Sequence, residues 1–428
     1  MTESVSPSLT RTGVHPRARL GLAMLTLIFA LNIVDRQIVT ILAEDIKAEL
    51  HLSDLQVGIL TGLSFALVYM TSAVLIARLA DTGNRRKIIS CCVAVWSAMT
   101  TLCGFATSFP ALLAARMGVA VGEAGCSPAS FSLLADYYPP ERRAFTIAVM
   151  QAGAVAGSAA ALLVGGLLAE HYGWRTPLVA VGLIGLVIAA LAFSTVAEPR
   201  AATQASAQAR ESFAEAFRFI LRMRPFQWLL GAGALAGFGT FSLQAWMPAY
   251  YQRVFGWSVG TTGSVLAAAT VIAGVAGALA IGRIADRRLA ADPGAHCAIP
   301  AFMVALAVPP SLIMLFADNA WLSLAGLVAV YLFTNGWQPG VFATVQSLMH
   351  DRTRATAAAI LGLVVNLAGV GLGPVVVGGL SDRLQPSLGG DALRYALLPS
   401  ALAFAGAALA LAMAARSIRH SVKGASGE

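Results

Sequence analysis

The chain has 428 residues, 57% of them hydrophobic and only 12% charged, with a formal net charge of +8. Soluble domains carry about 25% charged residues, so this composition excludes a soluble globular protein and indicates a polytopic membrane protein. The positive excess requires no nucleic acid, because cytoplasmic loops of membrane proteins collect Lys and Arg.

Residues 1–17 are polar and basic and are expected to form a cytoplasmic tail, with the first apolar run a membrane span and not a cleaved signal. A spanning helix needs about 20 mostly apolar residues. Such runs occupy 18–43, 54–79, 87–107, 110–137, 143–170 and 175–197, and again 225–251, 258–285, 296–317, 320–349, 355–381 and 391–415. The predicted fold is therefore an all-α membrane protein, with twelve transmembrane helices in two six-helix bundles, 18–197 and 225–415. A linker, 198–224, joins the bundles, and its second half spaces Phe213, Phe217 and Ile220 as in a helix lying on a membrane surface. A solvated connector fits that stretch equally well. Residues 416–428 form a second tail.

Orientation follows from the basic residues. With both termini in the cytoplasm, 22 of the 29 Lys and Arg fall in cytoplasmic segments, five fall on the opposite side, and Arg36 and Arg116 lie inside spans. The five cysteines, Cys91, Cys92, Cys103, Cys126 and Cys297, lie in or at apolar runs without metal-type spacing and read as buried small hydrophobes.

The two halves repeat each other. The stretch 77–87, ARLADTGNRRK, follows the second span, and 282–288, GRIADRR, follows the eighth. PPERRA at 139–144 is echoed by DRTRA at 351–355, and the Gly-rich 153–168 by 369–380, so that matching stretches lie about 205–213 residues apart. Internal duplication of this kind marks secondary transporters, whose substrate site lies near the midplane between the repeats.

The loop ARLADTGNRR resembles the signature G-x-L-A-D-R-x-G-R-[RK] of the major facilitator superfamily, with Ala77, Thr82 and Asn84 departing from it and Asp81, Arg85 and Arg86 retained. The copy after the eighth span retains Gly282, Asp286 and Arg287. In the fifth span, Ser158 stands where the antiporter-linked motif has Pro. Within the superfamily, NIVDRQIV in the first span and RMGVAVGEAGCSPASFSLLADYYPPERRA in the fourth are similar to the spinster subfamily. That resemblance covers the first half well and the second only at superfamily level. It implies transport of sphingosine-1-phosphate, lysophospholipids or related amphiphiles, in some members with protons. It also implies that the first and fourth spans line a central cavity.

Charges inside a bilayer are costly and are usually functional. Asn32, Asp35 and Arg36 share a face of the first span, as do Arg116 and Glu123 in the fourth. Burial raises a carboxylate's affinity for protons and a neighbouring Arg lowers it, so a carboxylate can take up a proton when its partner turns away. Asp35 and Glu123 are accordingly the expected proton-coupling groups. Arg116 is expected to bind an anionic head group or to pair with Glu123, and Arg36 to serve as counter-ion to an acid or as a ligand. The opposing reading is a static ion pair that fixes helix packing.

Asn32, Tyr69, Asn335 and Gln338 complete the expected substrate-binding set. The last two are flanked by Gly336 and Pro339, which predict a broken helix. Asp81, Arg85, Arg86, Asp286 and Arg287 are expected to latch the cytoplasmic side. No P-loop and no nucleophile or metal set is visible, and GVGLGP at 369–374 lies inside a span with no preceding strand. The expected protein is thus not an enzyme and needs no cofactor beyond a proton gradient. It is a monomeric proton-coupled carrier of an amphipathic, anionic lipid, located in a cell membrane (the inner membrane in a bacterium). The alternatives are export of drugs or small organic acids and, further off, a membrane enzyme acting on lipids.

Overall fold

A computed structural model of the protein describes residues 16–199, 220–288, 295–349 and 353–425. Each of the twelve expected runs falls on one helix or on consecutive helical pieces. The first half holds α1 (Ala18–Ile41), α2 (Asp54–Gly58 continued by Ile59–Leu63 and Ser64–Thr82), α3 (Arg85–Cys103), α4 (Phe109–Ala124 and Cys126–Tyr137), α5 (Pro140–Tyr172) and α6 (Arg175–Thr195). The second holds α7 (Arg224–Phe255), α8 (Val259–Arg288), α9 (Ala295–Leu306 and Val308–Phe316), α10 (Ala320–Thr334 and Trp337–Leu348), α11 (Arg354–Val365 continued by Asn366–Leu372 and Gly373–Leu388) and α12 (Ala392–Ala396 and Leu398–Ala425). Among the described residues, nine stretches are individually long and apolar enough to cross a membrane. The fourth and seventh spans are not among them; the fourth carries Arg116 and Glu123 and is divided at Gly125 into pieces of 16 and 12 residues. Most of the expected interfacial helix in the linker lies outside the described residues; Ile220, where the chain becomes described again, is fully buried.

Helix pairings in the first half recur six helices later. α1 packs on α5 and α7 on α11; α3 packs on α6 and α9 on α12; α2 packs on α4 and α8 on α10. The seams between halves obey the same relation, α2 against α11 and α5 against α8, with α1 also touching α7. Large apolar side chains remain exposed on the outer faces, Leu75, Leu79, Ile184 and Leu402 among them. A bilayer would cover them, and the pattern is that of helices apolar all round.

Small residues let backbones approach in membrane bundles. At Gly157 in α5, an added Cβ would lie 2.3 Å from the carbonyl oxygen of Ala30 in α1. On the α5–α8 seam, a Cβ on Gly263 would lie 2.1 Å from the Leu162 carbonyl oxygen. The α2–α11 seam has a further device. Ile59–Leu63 and Asn366–Leu372 are both wound as π-helix and lie against each other. Widened turns of this type free backbone groups and often mark functional positions. GVGLGP thus belongs to a widened turn of α11 and the helix that follows it.

Four of the five cysteines are buried, as expected; Cys91 is exposed on the outer face of α3.

Gly157→Val is expected to lower the detergent-solubilised protein's melting temperature, by an amount equivalent to about 1–3 kcal/mol of overpacking or more. Gly231→Ala, where no heavy atom lies within 4 Å of the added Cβ, should leave it unchanged or slightly raised.

Candidate functional site

α1 and α4 bring four charges together in the first bundle. Asp35, 1% exposed, accepts hydrogen bonds from Thr100 Oγ1 in α3 at 2.5 Å and from Arg116 Nη1 at 3.4 Å. Arg36 Nε donates to Glu123 Oε2 at 2.7 Å. The expected Arg116–Glu123 pairing is therefore replaced by a crossed arrangement, in which Arg116 serves Asp35 and Arg36 serves Glu123. The reason is helical geometry. Adjacent residues such as Asp35 and Arg36 point about 100° apart on a helix, so they meet α4 at different heights, seven residues apart. The Arg36 guanidinium also lies over two rings of α2, Phe65 at 4.9 Å and Tyr69 at 4.8 Å. Phe65 holds Arg116 as well, at 5.5 Å.

The arginines, not the acids, reach open space. Arg36 and Arg116 line a cavity of ≈190 Å³ together with Gln37, Thr61, Phe241 and Gln244. A second cavity of ≈360 Å³ shares Ile33, Gln37 and Gln244 with it. The second cavity extends between the halves to Ser158 on α5, Thr240 on α7, Thr270 on α8, and Asn335, Trp337 and Gln338 on α10. Its remaining wall is mostly aliphatic, with Val155, Leu162 and Leu266. The break expected near Gly336 is present, because α10 stops at Thr334 and restarts at Trp337. Asn335 anchors the break by donating to the Ala273 carbonyl at 3.1 Å, and Trp337 donates to Thr240 Oγ1 at 3.2 Å.

Of the expected substrate-binding residues, Arg36, Arg116, Asn335 and Gln338 line these cavities. Asn32 is buried at 3% exposure, and Tyr69 lies beneath Arg36; neither lines either of these two cavities. Asp35 and Glu123 sit directly behind the arginines. Sequence reasoning missed Gln37 and Gln244. Both are isolated amides in apolar spans, the same signal that singled out Asn335. It also missed Thr100, which carries no signal, since hydroxyls are common in membrane helices.

The Arg85 end of the first bundle is tied together from inside. Arg85 is fully buried at the start of α3. Its backbone N–H donates to Glu198 Oε2 at 2.7 Å, and its guanidinium reaches Glu198, Asp136 Oδ2 at 2.7 Å and Ser132. Arg86 lies over the Phe193 ring at 5.2 Å. All these partners belong to the first half. Arg85 and Arg86 bind α3 to the ends of α4 and α6. The side chains of Asp81, Asp286 and Arg287 lie outside the described residues.

A bridge between halves is found at the opposite end. Arg253 of α7 donates to Glu44 at 2.6 and 2.7 Å, and to both oxygens of Asp54 at 2.7 Å. Lys47 and Ser381 also reach Asp54, at 2.5 and 2.6 Å. Asp382 of α11 accepts from the backbone N–H groups of Asp54 and Leu55, both at 2.8 Å, and so caps the exposed donors of the first turn of α2. Lys47 and Arg253 are two of the five basic residues that the sequence puts on the side opposite the termini.

The chain matches the Major Facilitator Superfamily family model over residues 25–374. A protein described as an MFS-type efflux pump from Mycolicibacterium smegmatis is 35% identical over 382 residues, 89% of each chain. A sphingosine-1-phosphate transporter from Danio rerio is 26% identical over 387 residues, 83% of this chain and 75% of that one. The crystal structure of a bacterial homologue of the human lysosomal transporter spinster, inward-facing and unoccupied, superimposes with a TM-score of 0.82 at 28% identity, covering 96% of this chain and 99% of that chain.

Arg253→Leu leaves Glu44 and Asp54 facing each other without their shared cation. Removing one partner of a buried pair costs about 3–5 kcal/mol. Spin labels at positions 51 and 385 are expected to move apart in the variant, and pulsed electron resonance distances equal to those of the wild type would contradict a bridging role.

Proposed function

Because the chain belongs to the major facilitator superfamily, whose fold is that of transporters and not of enzymes, we propose that it carries an amphipathic, anionic lipid through the cavity between its halves and couples that movement to protons at Asp35 and Glu123. The observation that carries this reading is the pair of crossed bridges, in which the arginines face the cavity and the carboxylates stand behind them. A phosphate or sulfate head group entering the smaller cavity would compete for Arg36 and Arg116, since guanidinium groups fit such anions through several hydrogen bonds at once. Each arginine that turns to the head group leaves a carboxylate uncompensated in a site of low polarity. Such a carboxylate takes a proton readily. The aliphatic wall of the larger cavity suits a lipid tail, and its amides suit a polar linkage.

The positive-inside count places the Arg85 end in the cytoplasm. The Glu44–Arg253–Asp54 bridge then closes the outer side, consistent with the inward-facing form of the spinster homologue. Alternating access requires that this bridge open and that the α2–α11 and α5–α8 seams, which close at the same end, separate with it.

Export of apolar drugs is the second reading, favoured by the 35% identity to an efflux pump. It differs in needing no anion at Arg36 and Arg116. Proteoliposomes with an imposed pH gradient distinguish the two when loaded separately with a fluorescent lysophospholipid and a neutral apolar dye. The lipid is expected to move at a rate that depends on the gradient. Asp35→Asn and Glu123→Gln should lose at least tenfold of the gradient-driven component, and Arg116→Gln should raise the lipid's half-saturation concentration. Gradient response equal to wild type in both carboxylate variants would refute the proton assignment. Transport of the dye alone would refute the lipid assignment.

A further inference from the structure

At the end closed by the Glu44–Arg253–Asp54 bridge, the relation between the halves can be followed residue by residue. The offset from α2 to α8 is 205 residues, and from α5 to α11 it is 212. Ser53 and Ser258 both cap their helices, accepting from the Gln56 N–H at 3.1 Å and from the Thr261 N–H at 3.2 Å. A Cβ added to Gly58 of α2 would press on the Pro374 carbonyl oxygen of α11, and one added to Gly263 of α8 on that of Leu162 of α5. A Cβ on Gly378 would likewise press on the Asp54 carbonyl oxygen, and one on Gly166 on that of Val259. These contacts at the α2–α11 seam thus have counterparts at the α5–α8 seam, at the same two offsets.

The same register pairs a second acid with a helix start. Asp382 accepts from the N–H groups of Asp54 and Leu55. The counterparts of these three residues are Glu170, Val259 and Gly260. At the start of α8 the Ser258 side chain serves the Thr261 N–H, and its carbonyl serves that of Thr262. The N–H groups of Val259 and Gly260 are left over, with no hydrogen-bond partner among the described residues, although Gly260 is buried. Buried backbone donors are rarely left unmet. Glu170 stands where an acceptor is needed: a Cβ added to Gly260 would overlap its Oε2.

We propose that Glu170 is a second clasp between the halves, its carboxylate capping the N–H groups of Val259 and Gly260 across the α5–α8 seam as Asp382 caps those of Asp54 and Leu55 across the α2–α11 seam. An anion suits this position twice over, as acceptor for the open donors of the first turn and as partner to the positive end of the α8 dipole. Gly260 leaves the carboxylate room, and a side chain there would push it off the helix start. The surroundings of the two clasps differ. Asp382 works beside the contacts of Arg253, Lys47 and Ser381 with Asp54, whereas Glu170 works at a seam built on glycine contacts. The clasp is separate from the transport cavity and does not depend on what the protein carries or on proton coupling.

Pulsed electron resonance on the full chain in lipid nanodiscs, without substrate, tests this. Spin labels go at position 172, which follows Glu170 on α5, and at position 318, near Trp321, whose ring lies 5.8 Å from that of Trp257 just before α8. Glu170→Leu is expected to raise the ratio of long to short distances about threefold, as the loss of one anion from a helix N-terminus should. Glu170→Gln, which keeps an acceptor and loses the charge, should raise it by a smaller factor. Gly260→Ala, which keeps the acid and takes its space, should shift the ratio in the same direction. The wild-type ratio in folded Glu170→Leu overturns the clasp, and the wild-type ratio in Gly260→Ala overturns the seating of the carboxylate on α8. Should Glu170→Leu not fold, Glu170→Gln decides by the same criterion. No transport is read, so the result stands apart from the lipid and proton assignments.

Discussion

Two crossed salt bridges between α1 and α4 set the terms for the rest of the structure. Asp35, Arg116 and Glu123 are withdrawn from solvent and Arg36 largely so, within one turn of one helix and about two of another. Each ion carries a desolvation penalty of several kcal/mol, which its partner offsets only when geometry is good. The bundle meets that demand by crossing the pairs and by adding Thr100 to Asp35 and the rings of Phe65 and Tyr69 to Arg36. The result is a wall with its cations forward and its anions behind. Leucines in their place would leave the smaller cavity without its guanidinium groups.

The two halves are duplicates in packing and not in charge. The corresponding wall of the second bundle offers amides and a broken helix, Asn335 and Gln338 beside Trp337, where the first offers guanidinium groups. Duplication explains why the seams come in related pairs, α2 with α11 and α5 with α8. Divergence gives the two walls of the cavity different chemistry. Glycine-mediated contact lets the seams come close without interlocking side chains, and Arg253, Ser381 and Asp382 of the second half converge on Asp54 and its backbone.

The fold was legible from the chain because bilayer thickness imposes a length on each apolar run and because the repeat is exposed in loops, where Asp81 and Asp286 recur. The first-span charges were legible for the same reason: in an apolar run, any ion stands out. What could not be read was partnership. Seven-residue spacing places Arg116 and Glu123 on one face, but it cannot say which of two neighbours on α1 each meets, and the crossed pairing followed only from three-dimensional register. The interhalf bridge was hidden for a different reason. Lys47 and Arg253 lie at helix ends, where solvated charges are common, and their convergence on Asp54 depends on packing between segments about 200 residues apart in the chain. Gln37 and Gln244 show the remaining gap: the criterion that selected Asn335 applies to them equally.

The depth of the carboxylates bears on what coupling can mean in this chain. Asp35 and Glu123 are 1% and 0% exposed, so a proton cannot reach them from the cavity without movement of Arg36, Arg116 or Thr100. On the proposed reading, protonation and arginine rotation would be one event, which an anion in the smaller cavity would set off. A ligand shifts a conformational equilibrium only by the difference between its affinities for the two states. Here that difference is available at a single point. A guanidinium can serve a head group or its buried carboxylate, and α1 carries the consequence directly, because the helix that bears Asp35 and Arg36 also packs on α5 and touches α7 across the midline. The chemistry at one helix face is thereby joined to the seams that must open and close.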